Sequence, residues 1–151
     1  MRSAASRVVI SNCDIANNQF RGILVSGTEN ALIENCKIHS PGHGIYLSGD
    51  ANYWYESGPN KNVEICNNIF DGCTYCAADT YPICVDPVIP QPKRGFYYHG
   101  KLKVYDNIFR ACGNAPVLKA HSLAELEFVN NQLPSGVVNA VDADCPSVII
   151  K

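Results

Sequence analysis

Charge is what this sequence has least of. Asp, Glu, Lys and Arg make up 17% of 151 residues, the net charge is −2, and the basic residues are scattered. That excludes the clustered Lys/Arg footprint with which a protein holds nucleic acid. Long apolar runs are also missing, and the opening residues, MRSAASRVVI, contain no apolar signal core. No stretch approaches the roughly 20 apolar residues a helix needs to cross a bilayer, so the chain reads as soluble, with no membrane partner and no address label. Its length suits one domain, 1–151, with a real core.

Eight cysteines are more than average, but they lack the dense spacing of a small secreted disulfide scaffold. Cys73 and Cys76 form a CxxC between Cys66 and Cys84, a source of thiolates for zinc or of a local disulfide. A second CxxC or Cys-His pair at metal spacing is missing. The stronger reading is therefore cysteine as a small buried hydrophobe, with no metal and no cofactor.

What the sequence does have is a degenerate repeat. VVISNCDI from Val8, ALIENCKI from Ala31, VEICNNIF from Val63, LKVYDNIF from Leu102 and LEFVNNQL from Leu126 align in register. Their first and third positions are apolar or small, the alternation of a strand with one buried face. The eighth is apolar too: Ile15, Ile38, Phe70, Phe109 and Leu133. Between them run two polar or small columns. One holds Asn12, Asn35, Asn67, Asp106 and Asn130, and the next holds Cys13, Cys36, Asn68, Asn107 and Asn131.

The first of these columns has spacings of 23, 32, 39 and 24 residues, the short steps suiting one coil of a solenoid and the long ones a coil that carries an insertion. A second short strand follows each phrase: GILVS at Gly22, GIYLS at Gly44, PICVD at Pro82, PVLKA at Pro116 and GVVNA at Gly136. The pattern fits an all-β chain, a right-handed parallel β-helix of about five coils. In it Asn68, Asn107 and Asn131 would hydrogen-bond along the axis as a ladder, and Cys13 and Cys36 would stack as small buried side chains. An antiparallel β-sandwich also has short strands between turns, but it does not demand one phrase recurring in register. Neither MRSAASR nor CPSVIIK resembles a polar end cap, so the chain is expected to be part of a longer β-helix or to associate end to end.

Two insertions interrupt the repeat, at 49–61 and 71–101. Both follow the second strand of their coil and should leave the helix on one side as neighbours. The first contains GDANYWYESG, and a simple turn has no use for a Trp between two Tyr. Rings that pack on sugar C–H faces, with carboxylates and amides that grip hydroxyls, are the chemistry of a saccharide site. Tyr53, Trp54, Tyr55, Asp50, Asn52 and Glu56 supply those groups. Asp50 is equally a turn former, and Trp54 equally a roof over the solenoid edge. Asp86, directly after a strand in VDPVIP, faces the groove or makes a turn before Pro87. His99, in FYYHGK, either orients a ligand or sits exposed. Glycoside hydrolysis needs two carboxyl groups about 5–5.5 Å or about 6.5–9.5 Å apart. Asp50, Glu56 and Asp86 are the candidates in these loops, and no catalytic residue is assigned.

The run GILVS to VEICNNIF, with GDANYWYESG as its most specific part, and the run YYHGKLKVYDNIF to LEFVNNQ resemble the later coils of the β-helix of glycoside hydrolase family 110. The resemblance spans roughly Ile15 to Leu133. It implies an inverting enzyme that removes terminal α-1,3-linked galactose, with a galactose-terminated saccharide as partner and an extracellular or periplasmic parent protein. The family's catalytic carboxylates include adjacent aspartates on earlier coils, and this sequence contains no Asp-Asp. What carries over is the loop from Asp50 to Glu56 as pocket wall. The alternative is a non-catalytic β-helix module for saccharide binding or self-assembly.

Overall fold

The computed structural model describes residues 6–55, 57–90, 96–112, 116–137 and 139–151. The first four repeat phrases each fold into two strands rather than one, because the fifth residue of the phrase turns a corner. Asn12, Asn35, Asn67, Asp106 and Asn130 all adopt left-handed backbone, with φ between 53° and 56°. Asn and Asp tolerate this region better than other side chains, which explains the conserved chemistry of that column within the repeat.

The first coil is β1 (Val8–Ser11), β2 (Asp14–Ile15) and β3 (Arg21–Val25). The second is β4 (Asn30–Glu34), β5 (Lys37–Ile38) and β6 (His43–Leu47), and the third β7 (Asn62–Cys66), β8 (Ile69–Asp71) and β9 (Ile83–Val85). The fourth is β10 (His99–Tyr105), β11 (Ile108–Arg110) and β12 (Leu118–Ala120). β13 (Leu123–Val129) and β14 (Val141–Ala143) belong to the fifth, and β15 (Ser147–Ile150) starts a sixth. Three stacked sheets result, ordered β1-β4-β7-β10-β13-β15, β2-β5-β8-β11 and β3-β6-β9-β12-β14. Every strand pairing within them is parallel, which rules out the antiparallel sandwich.

The core is a set of columns along the axis. Ile10, Ile33, Ile65, Val104 and Phe128 share one register row of the first sheet, which ends at the exposed Ile150. Ile23, Ile45, Ile83, Leu118 and Val141 share one of the third. The rings of Phe70 and Phe109 stack with centroids 4.8 Å apart, the spacing of neighbouring strands. Burial of these identical-facing apolar side chains is what makes one coil fold on the next.

At the corner after β7, β10 and β13, side-chain amides bond from coil to coil. Asn68 Oδ1 accepts the Cys36 N–H at 2.9 Å, Asn107 Oδ1 accepts the Asn68 N–H at 3.0 Å, and Asn131 Oδ1 accepts the Asn107 N–H at 3.0 Å. Each Nδ2 donates to a carbonyl of the preceding coil, Ile33, Ile65 and Val104 respectively, at 2.9 Å.

Three sequence expectations shift. Gly136 lies in a turn with φ +88°, and the fifth strand of the third sheet forms at Val141–Ala143 instead. Leu133 is exposed, because the second sheet ends at β11 with only a bridge from Ile108 to Gln132 beyond it. Cys36 is buried as expected, but Cys13, beside the edge strand β1, is exposed.

Candidate functional site

The two insertions meet. Asp50 bridges in parallel to Val88 and antiparallel to Ser57, so the aromatic loop leaves the coil and returns beside the segment after β9. The Val88 N–H donates to Gly49 O at 2.7 Å and the Ala51 N–H to Val88 O at 2.9 Å. From the next coil, the Tyr98 hydroxyl donates to Ser57 O at 2.8 Å, and its ring closely approaches Gly49. A Cβ on Gly49 would stand 2.1 Å from Tyr98 Cε1, so only glycine admits that ring. Gly49→Ala is therefore expected to displace Tyr98 and loosen the base of the loop. Faster amide exchange confined to 50–58 would report it, and unchanged exchange there would show that Tyr98 does not clamp the loop.

Asp50 organises the loop's interior. Its Oδ1 accepts the N–H groups of Asn52 and Tyr53, each at 2.9 Å, and its Oδ2 that of Trp54 at 2.9 Å. These bonds, that of Tyr53 foremost, hold the carboxyl below the usual carboxylate range. A carboxylate so engaged keeps its negative charge and has no proton to give, so it fixes backbone rather than acting as a general acid. With Tyr55 in left-handed backbone at φ 55°, the loop turns its three rings outward: Tyr53, Trp54 and Tyr55 are 72%, 79% and 57% exposed. Asn52 is exposed beside them, and Glu56 lies outside the described residues.

Asp86 is exposed immediately after β9, and its carbonyl accepts the Tyr46 hydroxyl at 2.8 Å. His99 is elsewhere. It is 1% exposed in the solenoid interior, its Nδ1 accepts the Asn60 N–H at 3.1 Å, and burial lowers its pKa to about 4. Of the two readings of FYYHGK, an exposed histidine is not what the fold gives.

No group of three or more His, Cys, Asp or Glu suited to a metal ion occurs among the described residues. Within the CxxC, Cys73 is buried and Cys76 exposed, and all eight thiols are free.

The outer face of the first sheet carries groups that the sequence reading passed over. Leu32, Glu64, Lys103, Glu127 and Ile149 form one outward register row, flanked by Tyr105 and Lys101. The Tyr105 hydroxyl donates to Glu64 Oε2 at 3.2 Å, and Lys101 Nζ pairs with Glu127 at 2.7 Å and Glu125 at 3.3 Å. A depression of about 290 Å³ is lined by Glu64, Lys103, Tyr105, Asp106, Glu127 and Val129. Reading the second position of the repeat downward would have exposed this row, since outward positions in a solenoid stack as faithfully as inward ones.

With three parallel sheets and corner columns in view, comparison with known proteins decides the family. Residues 1–133 match the model for the right handed beta helix region. The chain belongs to the right-handed β-helix family. The chain is also similar to proteins named alpha-1,3-galactosidase. It is 39% identical over 130 residues to alpha-1,3-galactosidase B of Bacteroides thetaiotaomicron, covering 82% of this chain and 20% of that protein. It is 36% identical over 126 residues to alpha-1,3-galactosidase A of Shewanella woodyi, covering 83% and 20%. For alpha-1,3-galactosidase B of Akkermansia muciniphila the identity is 34% over 131 residues, covering 83% and 16%. The β-helix thus spans about a fifth of the length of these relatives.

Proposed function

We propose that this β-helix forms part of the sugar-binding wall of a carbohydrate-active protein that takes saccharides ending in α-1,3-linked galactose. The observation that carries the reading is the loop at 49–58, where a buried-side framework of Asp50, Val88 and Tyr98 holds three rings open to solvent. Rings fixed in this way offer flat apolar surface to the C–H face of a sugar at little entropic cost. Trp54 is the principal platform, Tyr53 and Tyr55 flank it, and Asn52, Glu56 and Asp86 contact hydroxyls. The substrate class comes from the names of the relatives.

In this reading the parent protein works outside the cytoplasm, extracellular or periplasmic. Among the described residues no helix is long and apolar enough to cross a membrane. A second reading, a β-helix that binds saccharide without hydrolysing it, is favoured by Asp50, both of whose carboxylate oxygens are taken by backbone N–H groups.

Titration calorimetry with an α-1,3-galactoside tests the wall. Trp54→Ala is expected to weaken binding about tenfold or more, the loss of one stacked ring, with the unfolding temperature nearly unchanged because Trp54 is 79% exposed. Equal affinity in wild type and variant would sink the proposal. Release of galactose from the same ligand, beside an α-1,4 control, separates hydrolysis from binding alone.

A further inference from the structure

Four of the eight cysteines occupy matched rungs of adjacent coils. Cys13 and Cys36 lie between the register pairs Ser11↔Glu34 and Asp14↔Lys37, and the Lys37 N–H donates to Cys13 O at 2.9 Å. Their thiols follow the same course, Cys13 Sγ to Ser11 O at 3.3 Å and Cys36 Sγ to Glu34 O at 3.1 Å. Cys73 and Cys112 stand two residues beyond the pair Asp71↔Arg110, each after a left-handed residue, Gly72 at φ 67° and Ala111 at φ 47°. Cys112 Sγ donates to Arg110 O at 3.2 Å and Cys73 Sγ lies 3.6 Å from Ile38 O.

Neighbouring parallel strands run about 4.8 Å apart, inside the Cα separation of roughly 4.4–6.8 Å that a disulfide spans. The other cysteines lack such a partner. Cys66 is in register with Glu34 and Tyr105, and Cys84 with Tyr46 and Lys119. Cys76 is exposed in the turn after β8, and the Cys145 thiol donates to Ser147 O at 3.1 Å.

We propose that both rungs are disulfide sites, Cys13–Cys36 and Cys73–Cys112, closed by exchange with an oxidised low-molecular-weight disulfide, while Cys66, Cys76, Cys84 and Cys145 stay thiols. One protein thiolate attacks a sulfur of the oxidant, forming a mixed disulfide and releasing one oxidant thiol. The rung partner gives up its proton, attacks the protein sulfur of the mixed disulfide and expels the second oxidant thiol. Each rung thereby loses two protons and two electrons, and one oxidant disulfide is reduced to two thiols. Exposed Cys13 starts the first rung. In the second rung both thiols are buried. That rung closes more slowly, after local opening.

Incubation of the folded chain with glutathione disulfide, then alkylation and peptide mass mapping, tests this. The expected product is four hydrogens lighter, carries the two named cross-links, labels at four cysteines and unfolds at higher temperature until dithiothreitol is added. Labelling of all eight cysteines in the native chain after prolonged incubation would overturn the proposal, as would a Cys73–Cys76 bond. In Cys112→Ser, Cys73 should label fully while Cys13–Cys36 still forms. Should that variant not fold, Cys13→Ser must leave Cys36 labelled and Cys73–Cys112 intact, and any other intramolecular pairing refutes the assignment.

Discussion

Replacing Asn107 by alanine is expected to lower the stability of the β-helix by about 3 kcal/mol, a fall in unfolding temperature of roughly 6–12 °C for a chain of this size. Asn107 is fully buried. Its Oδ1 accepts from the Asn68 N–H at 3.0 Å and from Asn68 Nδ2 at 3.1 Å. Its Nδ2 donates to Ile65 O, Tyr105 O and Asn131 Oδ1 at 2.9–3.0 Å. Alanine leaves the buried Asn68 N–H and Ile65 C=O without these partners, and an unmet buried polar group costs about 1–3 kcal/mol. The neighbouring column gives the control. Asn67 is exposed and matters through its φ of 55°, so Asn67→Ala should cost only about 1–2 kcal/mol of left-handed strain. Urea unfolding of both variants measures the contrast. A loss below 1 kcal/mol for Asn107→Ala would mean that the amide column does not tie the coils together.

Acidification should weaken the fold through His99. Its ring is enclosed, Nδ1 accepts the Asn60 N–H, and Nε2 finds no hydrogen-bond partner among the described residues. Burial lowers its pKa from 6.5 to about 4. Between those values the unfolded chain takes up a proton that the folded chain refuses, so stability is full above pH 6.5 and declines as pH falls toward 4. The whole difference amounts to about 3 kcal/mol, since each pKa unit is worth 1.36 kcal/mol. Unfolding temperature measured from pH 7 to pH 4.5 should fall in the wild type and flatten in His99→Gln, which cannot take the proton. A slope that persists in the variant would assign the uptake to His43, whose pKa is also lowered by burial.

The candidate loop was legible in part. GDANYWYESG stood out because its residue types are wrong for a plain turn, and the structure puts its rings in solvent. The sequence left Asp50 open between turn former and ligand, and the three N–H bonds to its carboxylate were not readable, since they depend on how the chain curls back over residues 52–54. His99 shows the opposite limit. Its neighbours Tyr98 and Gly100 gave no sign of burial, because what encloses it is Asn60, 39 residues earlier. Tyr98, which supports the loop through Ser57 and Gly49, was not among the sequence candidates for the same reason: its partners lie in the earlier insertion.

By itself the sequence determined the parallel solenoid and most of its inward columns, but not β15 (Ser147–Ile150), which starts a sixth coil without a copy of the repeat phrase. Period-two alternation and a phrase recurring in register are local properties, and stacking identical phrases leaves them one way to bury their apolar face. Only the tertiary structure decided that each phrase bends at its fifth residue, that Cys73 and Cys112 share a rung, and that Asp50 and Val88 bridge the two insertions. Each of these is a relation between coils 23 to 39 residues apart, and contacts at such separations are set by packing and register rather than by the residues adjacent in the chain.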